Sequence, residues 1–183
     1  MYSDCKQQPG RFVRGFTLIE LLVILSVVTL LVTVAVPNYQ SIKAHFDIQG
    51  SSRQLVALVA AAKANAIRLG QFVVLCRRDD DQQSQCAGSR INSAGNWSIG
   101  WLLFADTDNN QWFDDSDRLL KQGVSAASGC EISGRGDFLS FTPDGILRGG
   151  GNGTFTVVCG SLKQELVVNI LGRVRYGDIT GTP

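Results

Sequence analysis

The chain has 183 residues, enough for one domain of ordinary size with a long element attached to it. Its 17 basic and 16 acidic side chains almost cancel, and the balance stays near zero when the first fifteen residues are set aside. That excludes a globally basic nucleic-acid binder, so any such activity has to sit in a local patch.

Residues 1–15, MYSDCKQQPGRFVRG, are polar and basic, with Lys6, Arg11 and Arg14. Residues 16–36, FTLIELLVILSVVTLLVTVAV, are apolar except for one charge, Glu20. A helix of that length covers about 31 Å, the thickness of a bilayer core. The basic residues before it hold that end in the cytoplasm and put the C-terminal part outside. An ordinary secretory signal peptide places a small-residue cleavage site after its apolar core. Here the core is followed by VPNYQSIKAHF, and the small residue, Gly15, stands before it. A carboxylate near the middle of a bilayer costs about 3 kcal/mol, so Glu20 needs a counter-charge. Cleavage after Gly15 supplies one. The new amine of Phe16 lies four positions before Glu20, on the same or a neighbouring subunit.

The run Gly15-Phe16-Thr17-Leu18-Ile19-Glu20-Leu21-Leu22 resembles the class III signal of type IV pilins and type II secretion pseudopilins. The resemblance implies that a prepilin peptidase cuts after Gly15 and methylates Phe16. It implies that Glu20 helps recruit the subunit into a filament of pilins and minor pilins, through the amine of Phe16 on its neighbour. It also implies a single-pass protein of the bacterial inner membrane, with its head in the periplasm and the cell surface as its destination after assembly. Pro37 matches a frequent helix-bending position of pilins.

Residues 37–70 turn amphipathic. Leu55, Leu58, Val59, Ala62, Ala66 and Leu69 keep a 3.6-residue spacing, with Arg53, Lys63 and Arg68 off the stripe. Tyr39, Ile42 and Phe46 extend the stripe toward the membrane end. The pattern predicts a helical stem whose apolar side packs on a head and which ends at Gly70.

Residues 71–183 read as a β-rich head. Strands are predicted at Phe72–Cys76, Gly100–Ala105, Arg118–Gln122, Phe138–Phe141, Thr154–Cys159 and Gln164–Ile170, separated by DDDQQSQ, TDNNQ and RGGGNG. A long helix followed by an antiparallel sheet defines an α+β class. Setting Cys5 aside with the leader leaves Cys76, Cys86, Cys130 and Cys159, which allow three pairings. Proximity along the chain favours Cys76–Cys86, which leaves Cys130–Cys159. Zinc is disfavoured, because no CxxC spacing occurs and the single histidine, His45, lies on the stem.

The order of helix, FVVLC, NWSIGWLLFADTDNN and a terminal GRVR resembles the GspH/FimT group of minor pilins and pseudopilins. Arg173 and Arg175 in that last element, and the disulfide pairs, fit its FimT/FimU-like branch. The alternative is a GspH-like minor pseudopilin of a type II secretion system with no DNA role.

Three local features remain. Asp106, Asp108, Asn110, Asp114 and Asp117 echo the ligand spacing of an EF-hand loop, but Gln111 stands where glycine is needed and Asp117 is too short for the closing glutamate. The run is read as a solvated hairpin turn. No catalytic constellation and no nucleotide-binding glycine loop is evident, so neither an enzyme nor a cofactor is expected. From Gly145 onward the basic residues are Arg148, Lys163, Arg173 and Arg175, against Glu165 and Asp178. On an extended segment Arg173 and Arg175 project to one side, about 7 Å apart, roughly matching successive phosphates. An edge strand with outward arginines that resist aggregation has the same pattern. The resemblance favours DNA, because FimT-type minor pilins are associated with a GRxR element that contacts it during natural transformation.

Overall fold

A computed structural model describes residues 16–79, 85–87, 94–124, 127, 129–149 and 153–181. They belong to two compact units that divide between Gln40 and Ser41. One helix, α1 (Leu18–Leu69), is followed by nine strands. These are β1 (Phe72–Arg77), β2 (Ala94–Asn96), β3 (Trp101–Asp106), β4 (Arg118–Gly123), β5 (Cys130–Arg135), β6 (Phe138–Phe141), β7 (Gly153–Cys159), β8 (Leu162–Val168) and β9 (Val174–Gly181).

In the first unit the apolar side chains of α1, from Leu18 through Val32, stand exposed. Among the described residues no helix is long and apolar enough to cross a membrane. The side chains at positions 34, 35, 37 and 38, inside or beside the expected span, are outside the description. An apolar surface this long does not remain in water; lipid or other apolar helices have to cover it.

In the second unit the rest of α1 lays one side on the sheets. Leu55, Leu58, Val59, Ala62 and Ala66 are buried as the spacing predicts and Leu69 is partly buried; Ile48, outside the predicted stripe, is buried with them, and the two alanines let the helix approach closely. The stripe does not extend to Tyr39, Ile42 and Phe46. All three are exposed, and the first buried apolar residue of this unit is Ile48. The helix ends where expected, at Gly70, whose φ of 62° suits a residue without Cβ.

The head contains two antiparallel sheets rather than one. Strand orders are β4-β3-β1-β6 and β2-β5-β7-β8-β9. The main core draws on α1 and both sheets, with Leu75, Leu103, Ile132, Phe155, Val157 and Leu166 among its members. A second cluster of Val74, Cys76, Cys86, Leu102 and Phe104 covers the reverse face of the first sheet. Two covered faces explain why FVVLC and WLLF are continuous apolar runs instead of alternating ones.

Both disulfides form as chain proximity suggested, Cys76–Cys86 and Cys130–Cys159. The second joins directly opposed residues of β5 and β7. Peptide mapping without reduction should recover both pairs from exported protein. Serine at Cys130 and Cys159 should cost about 2–4 kcal/mol in denaturant unfolding. Four free thiols would contradict an oxidising location.

Candidate functional site

Two regions carry the chemistry singled out in the sequence. At the N-terminal end Gly15 lies outside the described residues. Phe16 is exposed, and Thr17 caps the helix, its hydroxyl accepting from the Glu20 amide at 3.3 Å while its carbonyl accepts from Leu21. The Thr17 hydroxyl also reaches the Glu20 carboxylate at 3.5 Å. Thr-x-x-Glu is the capping-box pattern, a signal present in the sequence that the reading of Glu20 as a lone intramembrane charge passes over. Glu20 thus helps start the helix and faces outward, and among the described residues no cation pairs with it.

The tail begins with a tight turn after β8. The Asn169 side-chain carbonyl accepts from the amides of Leu171 (3.1 Å) and Arg173 (2.9 Å), and the Asn169 amide donates back to the Arg173 carbonyl at 3.0 Å. Lys63 on α1 donates to the Leu171 carbonyl at 2.7 Å. Val174 then packs on the core, so Arg173 and Arg175 on either side of it are exposed. Their outward projection follows the alternation expected of an extended segment. Tyr176 is 47 % exposed, and as the next residue along the strand it leaves on the face opposite Arg175.

The other two cations are engaged elsewhere. Lys163 pairs with Glu165 at 2.8 Å. Arg148 donates to the Asn109 side chain and lies over the Phe72 ring, 5.4 Å from its centre. An open cleft of about 310 Å³ borders the tail, lined by Lys163, Glu165, Gly177, Asp178 and Thr180. Two carboxylates against one amine make it unfavourable for an anion. Arg173 and Arg175 are exposed, and their side chains have no partners among the described residues.

The acidic run forms the hairpin turn between β3 and β4. Asp106 is buried, and its carboxylate accepts from the amides of Asn110 and Gln111. The Asn110 side chain bridges Asp108 and Asp114. Gln111, at the glycine position of the EF-hand pattern, does take a left-handed conformation with φ 69°. Phe113 turns inward onto Phe104, while Trp112 stays half exposed. Oxygens of Asp106, Asp108 and Asp117 lie within 4.8 Å of one another, close enough to hold a cation.

Burial pushes the Asp106 carboxyl above its usual 3.8, against the amide hydrogen bonds that pull it down. Burial raises Asp117 as well, whereas the Ser116 hydroxyl and amide hold Asp114 low. The raised pair removes stability as pH climbs from 3.8 through their native range. Asp114 adds stability above 3.8 that is lost as pH falls through its lowered value.

Residues 51–172, about two-thirds of the chain, match the family model described as Type II transport protein GspH. Residues 10–36 match the model described as Prokaryotic N-terminal methylation motif. The chain belongs to the GspH family, a group of structural pilins and pseudopilins and not enzymes. The Pilin-like protein PilA1 of Thermus thermophilus is 25% identical over 169 residues, covering 88% of this chain and 97% of that protein. A Fimbrial protein of Pseudomonas aeruginosa is 33% identical over 70 residues, 38% of this chain and 45% of the relative. The type IV minor pilin FimU of Pseudomonas aeruginosa shares the fold, with a TM-score of 0.54 over 72% of this chain and 88% of that one, at 14% identity.

Proposed function

We propose that this protein is a minor type IV pilin that takes part in pilus assembly and initiation, and that its head contacts DNA during natural transformation. The assembly half rests on the exposed apolar first part of α1, which carries Glu20 and overlaps the methylation motif. Prepilin peptidase, the inner membrane and other pilins are its partners in this reading, with Gly15 and Phe16 as the processing site. The DNA half rests on one observation: two exposed arginines without partners flank an anchored Val174 in a GRVR run like that of FimT-type minor pilins. Lys163 and Arg148 add to the field around them once released from Glu165 and Asn109.

A salt titration of DNA binding tests that half. Wild type should bind at low salt without sequence preference. Arg173→Gln and Arg175→Gln should each weaken binding to all sequences alike and flatten the slope of log affinity against log salt by about one. Stability should change by less than about 0.5 kcal/mol, because both side chains are exposed. Equal binding by the double variant removes the tail from the interface.

The second reading, a minor pseudopilin of a type II secretion system, draws on the description of the matching family model. A deletion strain scored for piliation, transformation and secretion together separates the two. Loss of secretion with pili intact favours the pseudopilin. Loss of DNA uptake with pili intact favours the receptor role.

A further inference from the structure

β9 contains a spacing problem. Val174 and Ile179 both pack against the core, yet they stand five positions apart. In a regular strand an odd separation sends two side chains to opposite faces. The register with β8 resolves it. Leu166 opposes Tyr176 and Gln164 opposes Ile179, so Gly177 and Asp178 together face the single residue Glu165. This is a β-bulge, and Gly177 is its tight point, where a Cβ would stand 3.0 Å from the Glu165 carbonyl oxygen.

A bulge takes backbone groups out of the ladder, and they need other partners. The Gly177 carbonyl accepts from the side-chain amide of Gln164 at 3.0 Å. Gln164 is itself out of keeping with its place. It is 7% exposed, on the inward side of β8 between Leu162 and Leu166. Its side-chain carbonyl accepts from the hydroxyl of Ser52, a residue 1% exposed on α1, at 2.8 Å. A buried line of hydrogen bonds therefore runs from the helix, through one amide, to the bulge.

We propose that Gln164 is a positioning residue for the tail arginines: by tying the Gly177 carbonyl to Ser52 it holds the bulge that decides which face of β9 carries Arg175. Its functional consequence rests on the DNA reading above. Without the bulge, Val174 and Ile179 cannot both stay inside. A one-residue slip in the first half of β9 turns Val174 outward and aims Arg175 at the core, where its charge is not tolerated. The tail then either frays or presents a different set of side chains.

If Gln164 were only a satisfied polar group of the core, replacing both it and Ser52 by apolar residues would be close to neutral in every respect. The double variant Ser52→Ala/Gln164→Met separates the two roles. The full chain in detergent micelles is followed by NMR for the cross-strand contacts of Leu166 with Tyr176 and of residue 164 with Ile179, alongside the DNA salt titration. The expected result is loss or displacement of both contacts and a salt slope shallower by about two, as for the double arginine variant. Retention of both contacts with a wild-type slope overturns the proposal. Gln164→Glu is the companion variant for the case in which the double variant does not fold. It keeps the shape and the acceptor for Ser52, and in its ionised form, reached by raising the pH where burial holds the acid protonated, it has no hydrogen to donate to the Gly177 carbonyl, so the same losses are expected there and an intact register overturns the proposal. If wild type binds no DNA, the DNA reading fails by itself, and the NMR contacts still decide whether Gln164 sets the strand.

Discussion

Phe155→Ala should lower the stability of the head by about 3–5 kcal/mol, the cost of deleting a fully buried aromatic ring that its surroundings cannot replace. Phe155 is completely buried on β7 and meets Trp97 edge to face, with ring centres 5.3 Å apart and planes at 80°. Its cross-strand partner is Gly134, and the ring fills the space that glycine leaves. A Cβ at Gly134 would stand 2.4 Å from the ring. Neighbouring strands cannot close over the hole, because β5 and β7 are clamped by the Cys130–Cys159 bond at their other end. Domains of this size are stable by about 5–15 kcal/mol, so the loss is a large share. Denaturant unfolding of the oxidised protein measures it, with the slope against denaturant unchanged. A shift below about 1 kcal/mol would mean that the ring is not a packing centre.

The second large effect concerns assembly. Mature protein from membranes should begin at Phe16, and Glu20→Ala should insert normally but fail to enter filaments. The charge is the reason. Glu20 sits in the first turn of α1, exposed amid an apolar surface, and in the uncut chain no described cation faces it. Cutting before Phe16 creates an amine at the helix start, four residues away, that can neutralise a neighbour's carboxylate inside the filament. Removing the carboxylate makes insertion no harder, with a gain below the roughly 3 kcal/mol a charge costs at a helix centre because Glu20 is in the first turn, and it removes the attraction at the same time. Thr17 still caps the helix, so α1 should survive the change. Edman sequencing and sheared-filament fractions decide both points. An intact Met1, or normal incorporation of the variant, would sink this account.

The parts of this fold that were legible from sequence share one property: each depends on neighbours along the chain. The apolar first half of α1, its stripe from Leu55 to Ala66, its stop at Gly70 and the strand at Phe138–Phe141 are all local patterns. Two strands, β2 and β5, escaped for local reasons too, and β9 was legible only as an extended segment about Val174. β2 reads AGN, β5 carries Gly134 in its middle, and β9 carries Gly177 and Asp178, residues that depress strand propensity. Gly134 belongs there only because Phe155 lies across it, a fact 21 residues distant that no window contains. The division into two sheets is likewise a matter of long-range pairing. At the candidate DNA site the outward pair Arg173 and Arg175 was legible from alternation about Val174. The engagement of Arg148 was not, because Asn109 and Phe72 meet it only in the folded head, whereas the pairing of Lys163 with Glu165, two residues along β8, follows from the same alternation.

The turn from Asn169 to Arg173 bears on how a ligand would be held there. Four hydrogen bonds within the turn, the Lys63 contact and a left-handed Gly172 fix the backbone that enters the tail. Gly172 lies close under the Phe141 ring, where a Cβ would be 2.8 Å away. A disordered arginine tail would have to order its backbone on every encounter, at about 1–2 kcal/mol for each residue. Here that loss of freedom occurs once, at folding. On the proposed DNA role, an incoming polyanion would have only side-chain rotamers to freeze, so even two contacts could form and break rapidly as the polymer moved past.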